Sequence, residues 1–118
     1  MLTELTIKDF ISKVISNDPV PGGGSVSALN GALAAALSAM VANLTVGRKK
    51  YVEVNDLMQE LSARFEKLSQ KLIEDVDRDS DAYNRVFAAF KLPKETDEEK
   101  QVRSEAIQRE TKYAAQVP

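Results

Sequence analysis

Histidine, cysteine and tryptophan are all missing from the 118 residues. Without cysteine there is no disulfide framework and no thiolate zinc site. Without histidine the chain lacks the commonest metal ligand and the usual general base of neutral pH. A Ser-His-Asp triad contained in this chain is excluded. Any acid–base chemistry must run on Asp, Glu, Lys or Tyr. Charge of one sign is also missing. Sixteen Lys and Arg face eighteen Asp and Glu, a formal net charge of −2. No polycationic character points to nucleic acid as a partner. The first five residues, Met-Leu-Thr-Glu-Leu, lack the basic start and apolar run of a signal peptide, which makes a reducing cytoplasm the expected setting.

One stretch lacks charge entirely: residues 19–47. Its length would cross a bilayer. Its composition, rich in Ala, Ser, Gly and Asn, would insert poorly, so a buried helix of a soluble protein and no membrane partner is the expectation. The rest is helical in period. Thr6 to Ser16 reads as a first helix, with Thr6 as N-cap, Asp9 as capping acid and Ile7, Phe10, Ile11 and Val14 on one face. Two prolines and three glycines between Pro19 and Gly24 predict a loop. A second helix runs from Ser25 to about Thr45. Leu29, Leu33, Leu37, Met40 and Leu44 form one stripe; Ser27, Gly31, Ala35, Ser38 and Ala42 form another of small residues only. That combination predicts packing partners on both faces, as in a central helix or a dimer seam. Gly47 suits a helix stop, followed by Arg48, Lys49 and Lys50 at the negative dipole end.

Val54 to Phe90 is one helical pattern free of Gly and Pro. A helix that long, about 55 Å, needs partners along its length. Its seam is Leu57, Leu61, Phe65, Leu68, Leu72, Val76, Tyr83, Val86 and Phe90, with one gap. At the gap stands Asp79. A carboxylate on a buried seam loses solvation, which raises its pKa and suits a general acid–base. The position fits equally an ion pair with a neighbouring helix, or an exposed site beside a drifting seam. Asp75 and Asp81 read as solvated-face charges. Thr96-Asp97-Glu98-Glu99 is a capping box for a fourth helix with Val102, Ala106, Ile107 and Tyr113 inside. The expected class is all-α: an antiparallel up-and-down bundle of long helices that forms dimers.

The loop Gly22-Gly23-Gly24-Ser25 ends at a helix N-terminus, where free N–H groups favour an anion. It is neither a Walker A loop nor a dinucleotide fingerprint, and a tight turn with a serine cap also accounts for it. Arg48 to Lys50, Lys94 and Arg103 fit solvated helix ends, or docking points for a polyanionic substrate tail.

The segments in order, Pro-Val-Pro-Gly-Gly-Gly-Ser-Val-Ser-Ala-Leu, Met40 to Tyr51, Asp79-Ser80-Asp81-Ala82-Tyr83, Leu92-Pro93-Lys94, Arg103 and Ala114 to Pro118, resemble the cyclodeaminase/cyclohydrolase domain of the formiminotransferase-cyclodeaminase family. The resemblance covers nearly the whole chain. It implies a homodimeric helical enzyme of tetrahydrofolate one-carbon metabolism. The activity implied is methenyltetrahydrofolate cyclohydrolase or formiminotetrahydrofolate cyclodeaminase, with the folate as substrate and no tightly bound cofactor. Asp79 falls on the family's aspartate and is expected to be catalytic. Gly22, Gly23, Gly24, Ser25, Lys49, Lys50, Tyr83, Lys94 and Arg103 are the expected substrate contacts; no metal site is expected. Members of the family continue past the Val-Pro with further helices. The expectation is thus one helical domain over 1–118, incomplete at its C-terminal side. The rival reading is a non-catalytic dimeric bundle module.

Overall fold

The computed structural model describes residues 1–117. Among them all regular structure is helical: α1 (Ile7–Ile15), α2 (Gly23–Thr45), α3 (Asn55–Phe90) and α4 (Asp97–Gln116), with 3-10 turns at Leu2–Glu4 and Lys49–Val54. Local chemistry sets the ends. Thr6 Oγ1 accepts from the Asp9 amide at 3.1 Å, and Thr96 Oγ1 from the Glu99 amide at 3.1 Å, so each threonine satisfies a free N–H of a first turn. Gly47 has φ +80°, the left-handed conformation that stops a helix and that glycine adopts without strain. Its N–H donates to Asn55 Oδ1 at 2.8 Å, and Arg48 Nε donates to the Leu44 carbonyl at 3.2 Å. α2 starts two residues earlier than expected: Gly23 and Gly24 form its first turn instead of ending the loop.

The chain divides into two compact units, Met1–Val26 with the chain from Asp75 onward, and Ser27–Glu74. In the second unit α2 buries Ala32, Ala35, Ala39 and Ala42. The small residues serve close approach, as expected, with the buried line centred on the alanines. A Cβ on Gly31 would come within 3.1 Å of Leu72 Cδ1, and Ser69 Oγ donates to the Ala32 carbonyl at 2.9 Å. The leucine stripe differs from the expectation of partners on both faces. Leu33, Leu37, Met40 and Leu44 are exposed, Leu37 at 59%. An alanine methyl contributes about 0.8 kcal/mol and a leucine roughly 1.5–3 when buried, so this unit leaves its larger apolar contribution at the surface. By length and composition α2 could cross a membrane, a test that an alanine-rich core helix also passes.

In the first unit the core is Phe10, Val20, Val76, Ala82, Ala89 and Ala106, together with buried Ser25, Asp77, Ser80 and Glu110. The expected face of α1 is only partly used: Phe10 is buried while Ile7, Ile11 and Val14 are exposed. On α4, Ala106 is buried and Ile107 and Tyr113 are half-buried, but Val102 is exposed.

Candidate active site

The site forms where the first turn of α2 meets α3 in the first unit. The approach loop is held by short polar contacts. Asp18 Oδ1 accepts from the Val20 amide at 3.0 Å, and a Cβ on Gly22 would press on the Pro19 carbonyl at 3.2 Å. Ser25 follows, with 0% exposure. Its hydroxyl donates to the Val76 carbonyl at 2.7 Å and shares a 2.9 Å hydrogen bond with Ser80 Oγ. Two buried hydroxyls thus satisfy each other and take up a second bond to an α3 carbonyl, fastening the start of α2 onto α3.

This fastening brings Gly24 against Asp79. A Cβ built on Gly24 would overlap the carboxylate, lying 2.5 Å from Cγ and Oδ2. Only glycine leaves room, so the loop glycine and the out-of-pattern aspartate are one feature in space. Asp79 Oδ2 also lies 3.5 Å from Ser25 Oγ. Asp79 lies between the buried and the exposed readings of its position: it is half-buried, because the seam runs through Val76 and Ser80 and passes it on one side. A carboxylate here is supported on one flank and open on the other. It sits by the positive end of a 23-residue helix, whose first N–H groups lack intrahelical partners.

The other expected contacts fall in three places. Gly22, Gly23, Gly24 and Ser25 are beside Asp79, though Ser25 is too buried to touch a ligand and acts on the site by fixing α2. Tyr83 lies one turn further along α3, exposed, with its ring stacked on Phe87 at 6.5 Å and 16°. Lys94 is exposed in the turn before α4, and Arg103 Nε donates to the Phe90 carbonyl at 3.2 Å. Arg103 therefore caps the end of α3, about 16 Å along the helix from Asp79. Lys49 and Lys50 belong to the second unit, both exposed, with Lys50 Nζ 5.7 Å from the Tyr51 ring centroid. Asp81 is exposed as expected, whereas Asp75 pairs with Arg78 at 2.7 Å.

Three further polar residues of this unit, to which the sequence assigned no role, are buried. Asp77 is buried and accepts from the Leu2 amide at 2.7 Å and the Thr3 hydroxyl at 2.6 Å. Those partners lie more than seventy residues away, so no local pattern signals them. Ser80 looks like an ordinary surface serine until Ser25 is placed beside it. Glu110 did carry a signal: it falls on the line Val102, Ala106, Glu110, Tyr113, a charge on an apolar stripe like Asp79. Arg85 Nε lies 2.8 Å from its Oε2 and Arg109 Nε 3.3 Å from its Oε1. Burial pushes the Glu110 carboxyl upward, but the two guanidinium groups outweigh it and hold the carboxyl below its ordinary range. Arg85 also stacks over the Tyr113 ring at 4.3 Å. This cluster ties α3 to α4.

A cavity of about 250 Å³ in the first unit is lined in part by Lys13, Val20, Asp77, Ser80, Asp81 and Asn84. Among the described residues no group of three His, Cys, Asp or Glu side chains is placed to hold a metal ion. What the Asp79 site can do is move a proton: it offers one accessible carboxylate next to backbone without side chain.

The formiminotransferase-cyclodeaminase family profile matches residues 6–118. A methenyltetrahydrofolate cyclohydrolase of Methylorubrum extorquens is 43% identical over 113 residues, which are 96% of this chain and 54% of that protein. A formimidoyltransferase-cyclodeaminase of Rattus norvegicus is 37% identical over 117 residues, 99% of this chain and 22% of that one. The crystal structure of a formiminotetrahydrofolate cyclodeaminase from Thermotoga maritima superposes with a TM-score of 0.72 at 30% identity, covering 99% of this chain and 58% of that chain. The chain thus spans about half the length of the bacterial cyclohydrolase. With a profile match over nearly its whole length, it belongs to the formiminotransferase-cyclodeaminase family.

Proposed function

We propose that this protein acts on the one-carbon bridge of tetrahydrofolate, as a methenyltetrahydrofolate cyclohydrolase or a formiminotetrahydrofolate cyclodeaminase. The observation that carries the reading is the Asp79 carboxylate set against Gly24 at the start of α2. Both reactions pass through a tetrahedral carbon between two nitrogens, and both need one proton taken and one given. In the hydrolytic direction water adds to the methenyl carbon and Asp79 takes its proton. As the adduct collapses, the carboxyl returns that proton to the departing nitrogen and the hydroxyl proton leaves, giving the formyl product and one net proton. In the deaminating direction the arylamine nitrogen attacks the carbon of the formimino group in its protonated, amidinium form and passes its own proton to Asp79. The carboxyl then protonates the amino group, which departs as ammonia and leaves the methenyl bridge. One carboxylate serves each route, which suits a chain without histidine.

Gly23, where a Cβ would meet nothing within 4 Å, leaves the start of α2 open beside the carboxylate. Tyr83, one turn on, offers a ring face to a planar substrate. The folate is the substrate, and no resident cofactor or metal enters this chemistry. A homodimer is part of the reading: the exposed Leu33, Leu37, Met40 and Leu44 follow the 4, 3, 4 spacing of a helix-pairing seam and suit a second copy. The near-neutral charge and absent cysteines fit a cytoplasmic protein that engages neither nucleic acid nor membrane.

Asp79→Asn tests the assignment. We expect turnover, followed as loss of methenyltetrahydrofolate absorbance, to fall by about 100-fold or more while the helical circular dichroism is kept. Near-normal turnover in that variant would remove Asp79 from the chemistry. A wild-type chain with no turnover and no thermal shift from tetrahydrofolate derivatives would favour a bundle module without catalysis.

A further inference from the structure

Asp79 begins a line of side chains along α3. Tyr83 and Phe87 follow at four-residue steps, each advancing about 6 Å and turning about 40° round the helix, and Lys91 follows in the turn just past its end. Tyr83 and Phe87 stack on each other, and both are exposed, at 41% and 47%. Lys91 reaches back so that its Nζ lies 4.4 Å from the Phe87 ring centroid. Among the described residues it makes no ion pair with a carboxylate. Two aromatic rings and one cation without a carboxylate partner among the described residues therefore lie on a track leading away from the Asp79 carboxylate, all within the first unit.

We propose that Tyr83, Phe87 and Lys91 form the subsite for the aromatic-acid tail of the substrate. This rests on the folate reading above and deepens it. In a tetrahydrofolate the order from the one-carbon bridge is nitrogen, benzoyl ring, amide, then glutamyl carboxylates. The order along α3 is carboxylate, ring, ring, cation. With the bridge carbon at Asp79, the benzoyl ring lies on Tyr83 and Phe87 and a glutamyl carboxylate pairs with Lys91. Charge complementarity selects this occupant. A hydrophobic partner would leave Lys91 unanswered, while an acidic tail satisfies it beside an aromatic face that already favours the cation. Arg103 does not compete for the position at Lys91, since its Nε is committed to the Phe90 carbonyl. The sequence pattern had assigned Phe87 and Lys91 no part in the site; their signal is the continuation of the four-residue step past Tyr83.

The test compares two stable ligands, 5-formyltetrahydrofolate and its pteroate counterpart lacking glutamate, binding to the full chain by calorimetry. Lys91→Gln is expected to weaken the glutamyl ligand about tenfold and to leave the pteroate ligand unchanged. Phe87→Ala is expected to weaken both by several-fold, with Phe87→Leu keeping the apolar bulk but not the stacking and falling between. Lys8→Gln, a cation exposed on α1, serves as the charge control. Both target side chains are exposed, so circular dichroism should be unaffected. If wild type binds both ligands and Lys91→Gln binds them with unchanged or equally reduced affinity, the tail subsite is overturned while the folate reading stands. If wild type binds neither ligand and turns over no methenyltetrahydrofolate, the folate reading itself falls and the subsite with it.

Discussion

At the scale of single residues, the decisive arrangement is a glycine with no room for a methyl group. Gly24 lies in the first turn of α2, where alanine would normally be the better helix former by up to about 1 kcal/mol. Propensity alone thus predicts that Gly24→Ala stabilises. The added Cβ would instead overlap the Asp79 carboxylate. Asp79 is half-buried, so its side chain can swing away at small cost to folding. We therefore expect Gly24→Ala to keep its melting temperature within a few degrees yet lose about 100-fold in turnover, since a displacement of about 1 Å is enough for such a loss. Unchanged steady-state kinetics in this variant would show that the carboxylate need not stay where Gly24 leaves it. Asp79 itself was legible as a charge on an apolar stripe. Its contact with Gly24, fifty-five residues earlier, was not, because no periodicity links two different helices.

At the scale of elements, capping and composition set the helix ends, while ion pairing decides how α3 meets α4. Glu110 on α4 is buried between Arg85 of α3 and Arg109, and its carboxyl is held below the ordinary value of 4.5. In the unfolded chain the same group binds a proton more readily. Its ionised form therefore stabilises the fold above the unfolded value, and that contribution is lost as pH falls through the lowered folded value. Glu110→Gln should flatten the acid side of the stability–pH curve, measured by urea unfolding between neutral pH and pH below 4.5. An identical acid dependence in the variant would show that the pair contributes nothing there. The helices themselves were readable to within a few residues at both ends. The exception is the start of α2: two glycines that look like loop carry its first turn, because Ser25 and Ser80 hold that turn against α3.

At the scale of the whole molecule, the leucine face of α2 is an apolar surface left uncovered. Burying a leucine there adds roughly 1.5–3 kcal/mol, well above the alanine contacts that the second unit uses internally. On the homodimer reading, Leu37→Glu places a charge in the seam and should shift the protein to monomer, read by light scattering after size exclusion. A wild-type monomer, or a variant with unaltered mass, would set the dimer aside.

Composition and period alone settled a good deal: an all-helical chain, no cysteine, histidine or zinc-thiolate chemistry, the position of each helix, and Asp79 as a charge out of place on an apolar stripe. These are local or compositional properties, and 3.6-residue periodicity reports them directly. Tertiary contact decided the rest. It chose the alanines of α2 over its leucines as the buried face, left Asp79 half-open, buried Asp77 against partners distant in sequence and Glu110 against Arg85 of another helix, and put Gly24 under the carboxylate. A stripe in the sequence says that a face is apolar. Which apolar face is covered, and by what, depends on how closely two backbones can approach, and small side chains allow the closer contact.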